Sequence, residues 1–312
     1  MDITLIGAEQ VRAALDFPTL VAALRTAFAE GAVIPPRHHH GIGPEGAGGT
    51  LLLMPAWREG GYLGVKIATI FPANGARGLP SLHAAYLLCD AATGRPLALI
   101  DGGELTARRT IAVSALAVDY LARPDASRLL LLGAGRIASL AADAFRAVRP
   151  IGHVSVWNST AARADRLVAD LSARGFAASR VDDPAEAART ADIISCATLS
   201  TAPLIRAEWL APGVHLDLIG SFTPEMREAE VGCFTGARTF VDAIEGLEEA
   251  GDLIAPVAAG TLDPVSIGTL ADLCTGRADG RLAVEERTIF KAVGTALADL
   301  TAAALVHGTV RA

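Results

Sequence analysis

Residues 129–142 read Leu-Leu-Leu-Leu-Gly-Ala-Gly-Arg-Ile-Ala-Ser-Leu-Ala-Ala. Four consecutive leucines predict a strand buried on both faces, as in a parallel sheet covered by helices. A Gly-x-Gly-x-x-Ala turn follows at Gly133, Gly135 and Ala138, and an Ala-rich helix then runs to Val148. Gly133 permits the tight turn, Gly135 lets backbone approach a phosphate, and Ala138 lets the helix sit close to the strand. This order of elements places a pyrophosphate on a helix N-terminus. The spacing alone is a weak signal, and a Gly-rich turn without a ligand is the alternative. Further strand–helix units downstream favour a dinucleotide site, with Ala134, Arg136 and Ile137 as additional contacts.

The next strand is His153–Trp157. At the end of that strand an NAD enzyme usually carries Asp or Glu for the ribose 2′-hydroxyl. Here the chain reads Asn158-Ser159-Thr160, with Arg163 and Arg166 in the helix that follows. No carboxylate repels a 2′-phosphate, and amide, hydroxyl and guanidinium donors are at hand. The expected cofactor is NADPH, with NADH as the alternative. Ala191–Ala197 reads as a strand ending in Thr198-Leu199-Ser200, and Val214–Ile219 as one ending in Gly220-Ser221-Phe222-Thr223-Pro224. Loops at strand C-termini line the cofactor crevice of such sheets, which adds Thr198, Leu199, Gly220 and Ser221 to the candidates. Ala237–Val241 and Thr288–Val293 read as further strands, and Ala296–His307 as a C-terminal helix. Asp242 and Lys291 read as structural, and Glu248, Asp252 and Asp263 as solvated loop residues.

Upstream, residues 8–31 carry apolar positions at helical spacing and read as two helices split at Phe17-Pro18. Thr50–Trp57, Tyr62–Phe71, Leu82–Cys89 and Pro96–Ile100 read as a mostly antiparallel sheet. Lys66 lies in the second of these runs, where an ammonium needs a partner. By alternation it shares a face with Gly64 and Ala68, which suggests room for a bound molecule beside an amine. Glu104–Leu121 reads as one helix, with Arg108, Arg109 and Thr110 in its first turns. Arg109, Ala112 and Leu116 share a stripe, so Arg109 is placed either for a ligand carboxylate or for an ordinary pair with Glu104 or Asp101. His38, His39 and His40 would alternate between faces of an extended segment and cannot all bind one metal, so no metal site is expected. Ala122–Ser127 reads as a domain boundary. The nucleotide-binding domain begins after it.

The chain has 312 residues, 51% hydrophobic and 20% charged, with a net charge of −7. A sizeable core is available, and the absence of a basic run argues against nucleic acid. The longest apolar runs fall well short of the ~18 residues of a membrane span. Met-Asp-Ile-Thr-Leu has no cationic segment of the signal-peptide kind. Four cysteines lack metal-ligand spacing, so the default expectation is a reduced, cytoplasmic protein. Of the 27 cationic residues only Lys66 and Lys291 are lysines.

Gly-Val-Lys-Ile-Ala-Thr-Ile-Phe-Pro-Ala-Asn (64–74), Leu-Thr-Ala-Arg-Arg-Thr-Ile-Ala (105–112), Gly-Ala-Gly-Arg-Ile-Ala (133–138) and Gly-Ser-Phe-Thr-Pro-Glu-Met-Arg-Glu (220–228) resemble the ornithine cyclodeaminase/μ-crystallin family. Within that family Trp157-Asn158, Cys196-Ala197-Thr198, Leu216–Glu228 and Thr288–Leu300 look most like the bacterial Δ1-pyrroline-2-carboxylate and Δ1-piperideine-2-carboxylate reductases. The resemblance implies a substrate-binding and dimerisation domain made of residues 1–122 with 294–312, a Rossmann domain over residues 123–293 between them, and a homodimer. It also implies a substrate carboxylate held by Arg37, Lys66 and Arg109, and NAD(P)H-dependent reduction of a cyclic imino acid. Lys66, an amine amid positive neighbours, is the expected catalytic group, as donor or relay of the imine proton. His39, Ser81 and His83 are secondary candidates, and Arg109 and Thr110 are also expected near the cofactor. Cyclodeaminases and related alanine dehydrogenases carry an aspartate at the position of Phe222, which an apolar ring-imine pocket does not need. The family's Gly-x-Gly-x-Gln-Ala reads Ile137 in place of Gln. The alternatives are a cyclodeaminase, an alanine dehydrogenase, a broader ketimine reductase, or a μ-crystallin-like protein that binds NADPH and a ligand.

Overall fold

The structure is a computed structural model that describes residues 3–43 and 48–311; Met1, Asp2, residues 44–47 and Ala312 lie outside the described residues. The chain begins with β1 (Thr4–Ile6), α1 (Ala8–Ala14) and α2 (Phe17–Glu30). Five strands follow: β2 (His38–Ile42), β3 (Gly49–Trp57), β4 (Tyr62–Ile70), β5 (Leu82–Asp90) and β6 (Pro96–Asp101). Then come α3 (Gly102–Leu121), β7 (Arg128–Leu132), α4 (Arg136–Arg146), β8 (His153–Trp157), α5 (Ala161–Ala173) and β9 (Ala177–Arg180). After these lie α6 (Pro184–Thr190), β10 (Ile193–Cys196), β11 (His215–Leu218), β12 (Arg238–Val241), α7 (Gly246–Glu249) and α8 (Gly251–Ala258). The chain closes with β13 (Gly268–Thr269), α9 (Leu270–Thr275), β14 (Thr288–Lys291) and α10 (Ala296–Arg311).

Two compact units result: Met1–Arg109 with Thr295–Ala312, and Thr110–Gly294. The first division falls between Arg109 and Thr110, inside α3, which runs unbroken from Gly102 to Leu121 and ends just before the Ala122–Ser127 stretch.

The first unit is a six-stranded sheet in the order β1-β6-β5-β4-β3-β2, antiparallel apart from the β1–β6 pair. Helix α10 packs on α1, α2 and strands β3, β4 and β5. It meets the face on which Gly64, Lys66 and Ala68 are buried. Proline placement differs from expectation. Pro18 does not split the two helices but sits in the first turn of α2, where its missing N–H costs nothing. Asp16 is the N-cap and accepts from Thr19 N at 3.0 Å.

The second unit is an eight-stranded parallel sheet in the order β13-β12-β14-β11-β10-β7-β8-β9. Leu129–Leu132 are all buried in β7, as the leucine run requires of an inner strand. Asp252 is not solvated. It is buried in the first turn of α8, where Oδ1 accepts from Glu228 N at 2.9 Å and Ala229 N at 3.1 Å. Asp242 accepts from Val293 N and Gly294 N, and Lys291 Nζ donates to the Leu218 and Ala292 carbonyls at 3.1 Å each, both structural roles.

Candidate active site

The first unit gathers a buried cluster of charges. Strand pairing sets Lys66 in a row with Met54 on β3 and Tyr86 on β5, all three buried. Asp299, in the first turn of α10, meets this row. Lys66 Nζ lies 2.8 Å from Asp299 Oδ2, and Arg109 Nε donates to Asp299 Oδ1 at 2.7 Å. Asp299 is 0% exposed, Lys66 3% and Arg109 5%. Arg109 is therefore not paired with Glu104 or Asp101: Arg108 Nε takes Glu104 at 2.9 Å, and Asp101 accepts from Glu104 N at 2.7 Å. Arg37, half-buried in the segment before β2, contributes a positive field at Lys66.

Burial pulls the Lys66 ammonium down to about 8; Asp299 pushes it back up, while Arg109 and Arg37 add to the fall. Burial would raise Asp299, but Arg109 and Lys66 outweigh it and hold the carboxyl below the usual carboxylate range. Two buried cations thus face one carboxylate, an excess that favours a further anion. The Arg109 terminal nitrogens have no hydrogen-bond partner among the described residues.

Of the two small neighbours expected to leave room beside Lys66, Gly64 does not. A Cβ there would stand 2.4 Å from Tyr86 Oη, so the tyrosine ring already fills that space. On the other side the row Ala68, Ala84, Leu52 and His39 shares the face of Lys66. His39 and Ser81 are exposed, and His83 pairs with Thr69 on the opposite face. Asp299 escaped sequence reasoning. Its signal was a carboxylate in the otherwise apolar run Ala-Leu-Ala-Asp-Leu (296–300), where a buried charge demands a cation.

The second unit carries the glycine turn. Gly133 has φ +111°, and a Cβ there would lie 2.7 Å from the Ala197 carbonyl. Gly135 is the N-cap of α4 and has open space where its Cβ would stand, with Ala134, Arg136 and Ile137 beside it. Ala138 is buried under the helix. A bare turn and a helix N-terminus without a side-chain cap fit a pyrophosphate. Asn158 Nδ2 donates to the Thr160 carbonyl at 3.1 Å, while Ser159, Thr160 and Arg163 are exposed around the start of α5.

Some expected cofactor donors are already engaged. Glu228 Oε1 accepts from Thr198 N and Oγ1, and Oε2 from Gly220 N, each at 2.7 Å. Ser221 Oγ donates to the Met226 carbonyl at 2.5 Å. Thr198, Gly220 and Ser221 therefore shape these loops through Glu228 and Met226, while Leu199 and Phe222 present exposed apolar side chains. Thr110 is half-buried on α3. Among the described residues no group of three His, Cys, Asp or Glu side chains could hold a metal.

A model of the ornithine cyclodeaminase/mu-crystallin family matches residues 6–312. The chain belongs to that family. Among its members, a Δ1-pyrroline-2-carboxylate reductase of Colwellia psychrerythraea is 38% identical over 308 residues, 96% of each chain. A solved structure of the Thermococcus litoralis Δ1-pyrroline-2-carboxylate reductase, in complex with NADH and L-proline, superposes with a TM-score of 0.94 at 31% identity, covering 99% of this chain and 98% of that one. An archaeal alanine dehydrogenase dimer with bound NAD gives 0.92 at 30% identity, covering 100% and 97%. Both of these solved structures hold a nicotinamide dinucleotide, and no helix among the described residues of this chain is long and apolar enough to cross a membrane.

Proposed function

We propose that this chain reduces cyclic 2-imino acids, Δ1-pyrroline-2-carboxylate to L-proline and Δ1-piperideine-2-carboxylate to L-pipecolate, and prefers NADPH to NADH. The observation that carries the reading is the buried excess of positive charge at Lys66 and Arg109, with the Arg109 terminal nitrogens unpartnered. A planar guanidinium with its fork free matches a carboxylate. The reductase that carries L-proline in its solved structure supports the same choice.

In this reading Arg109 and Arg37 take the substrate carboxylate and fix the ring. Bound, the reduced dinucleotide supplies a hydride for the imine carbon. Lys66 Nζ holds the proton that the imine nitrogen acquires, so one C=N bond becomes C–H and N–H. An ammonium that titrates near 8 gives up a proton near neutrality far more readily than one at 10.5. Phe222 offers no carboxylate to a free amine. The residues for the dinucleotide are the 133–138 turn and, for a 2′-phosphate, Ser159, Thr160 and Arg163, where no acidic residue intervenes.

The active form is a homodimer. The sheet face opposite Lys66 presents the paired row Leu5, Leu99, Leu87 and Val65 with Ile67 beside it, and Leu5, Leu99 and Ile67 are exposed. A contiguous apolar face of this kind calls for a cover. Light scattering should report a dimer in the wild type and a monomer in Leu99→Arg; a monomeric wild type would refute the assignment.

The chemistry is tested by incubating the protein with each imine and NADPH and identifying the product by chiral chromatography. L-Proline or L-pipecolate is expected. Ammonia released from ornithine, with no imine reduced, would instead make Phe222 irrelevant and the chain a cyclodeaminase.

A further inference from the structure

We infer that Asp299 is the positioning residue of this site: it holds Lys66 in its charged form and turns the Arg109 fork toward the substrate carboxylate. The inference rests on the reductase reading above. Its basis is geometric. One carboxylate, wholly buried, divides its two oxygens between the two cations, Oδ2 at 2.8 Å from Lys66 Nζ and Oδ1 at 2.7 Å from Arg109 Nε. A guanidinium anchored through Nε keeps its four terminal N–H groups in a fixed plane for another anion. Here those groups have no hydrogen-bond partner among the described residues.

The placement of Asp299 explains why the cluster tolerates burial. It lies in the first turn of α10, where the helix dipole favours negative charge. The groups around Lys66 are Asp299 from α10, Arg109 from α3, Arg37 from the segment before β2, and Tyr86 beside it on β5, with apolar Met54 on β3. Asp299 is the one group among these that raises the proton affinity of Lys66; burial, Arg109 and Arg37 all lower it. Tyr86 adds no ionised charge, since burial first and Asp299 second push its hydroxyl well above the ordinary value. Without Asp299 nothing in the cluster keeps Lys66 protonated near neutrality, and the Arg109 side chain loses its anchor.

The test is Asp299→Asn, which keeps the shape and removes the charge. The alkaline limb of kcat/KM for the imine should move down by about one pH unit or more. At about two pH units below each protein's own alkaline limb, where Lys66 stays charged, affinity for pyrrole-2-carboxylate, measured by calorimetry without cofactor, should fall by about tenfold. A simple counter-charge role predicts the opposite there, since losing a negative charge tightens anion binding. Asp299→Glu keeps the charge but displaces it by one methylene. The alkaline limb should then stay in place while pyrrole-2-carboxylate binding weakens, and this variant decides the matter if Asp299→Asn does not fold.

An unmoved limb in Asp299→Asn, or carboxylate binding that is unchanged or tighter in a folded variant of either kind, overturns the proposal. A wild type that neither reduces an imine nor binds pyrrole-2-carboxylate overturns the reductase reading and the proposal with it. A wild type that does both, with variants that match it, overturns the proposal alone.

Discussion

Lys66 Nζ and Asp299 Oδ2 stand 2.8 Å apart, with both side chains almost wholly buried. The ammonium titrates at about 8, so it is charged below that pH and neutral above it. Because the protonated form holds the anion and donates the proton, kcat/KM should fall as pH rises through about 8. Lys66→Arg keeps a positive charge that does not titrate in this range. It should retain carboxylate binding, lose the alkaline limb, and reduce kcat by about 10²–10⁴-fold, the usual worth of a general acid. Equal kcat in Lys66→Arg would remove the proton role and leave Lys66 as an anion ligand.

How much of this was legible in the sequence depended on the range of the interactions. Leu129–Ala138 declared its strand, turn and helix because all three are local and periodic. Lys66 and Arg109 stood out because charge in an apolar run must find a partner. The partner itself, Asp299, lies 190 residues beyond Arg109 and comes into contact only when α10 returns to the first sheet. Asp252 failed for the same reason: its ligands are backbone N–H groups of Glu228 and Ala229, which no side-chain pattern announces. Gly64 misled because alternation shows which residues share a face but not that Tyr86 leans across the vacant position.

The proposed preference for NADPH rests on the end of β8. Asn158, Ser159 and Thr160 carry no negative charge, and Arg163 is exposed on the first turn of α5. Arg163→Ala should lower kcat/KM for NADPH by about tenfold, the worth of one charged hydrogen bond, and leave NADH within about twofold. Ser159→Asp should reverse the preference. Steady-state kinetics with both cofactors checks this; equal effects of Arg163→Ala on the two would remove the 2′-phosphate role.

Asp217 links pH to stability in the second unit. It is wholly buried, accepts from Ser195 Oγ at 2.6 Å, and burial raises its carboxyl from 3.8 to about 7, against the pull of Ser195. A folded value above the unfolded one means a contribution present below pH 3.8 and lost as pH rises through about 7. The loss is on the order of 4 kcal/mol at most, at 1.36 kcal/mol for each unit. Asp217→Asn cannot ionise. Its Tm relative to wild type should therefore climb as pH rises from 4 toward 7; a difference that stays flat across that window would contradict the assignment.

The central claim is tested most directly by following absorbance at 340 nm while NADPH or NADH is offered with Δ1-pyrroline-2-carboxylate or Δ1-piperideine-2-carboxylate. Rapid oxidation that requires the imine, faster with NADPH than with NADH, is the predicted result. No imine-dependent oxidation with either cofactor, from protein that is folded and binds the dinucleotide, would contradict the account.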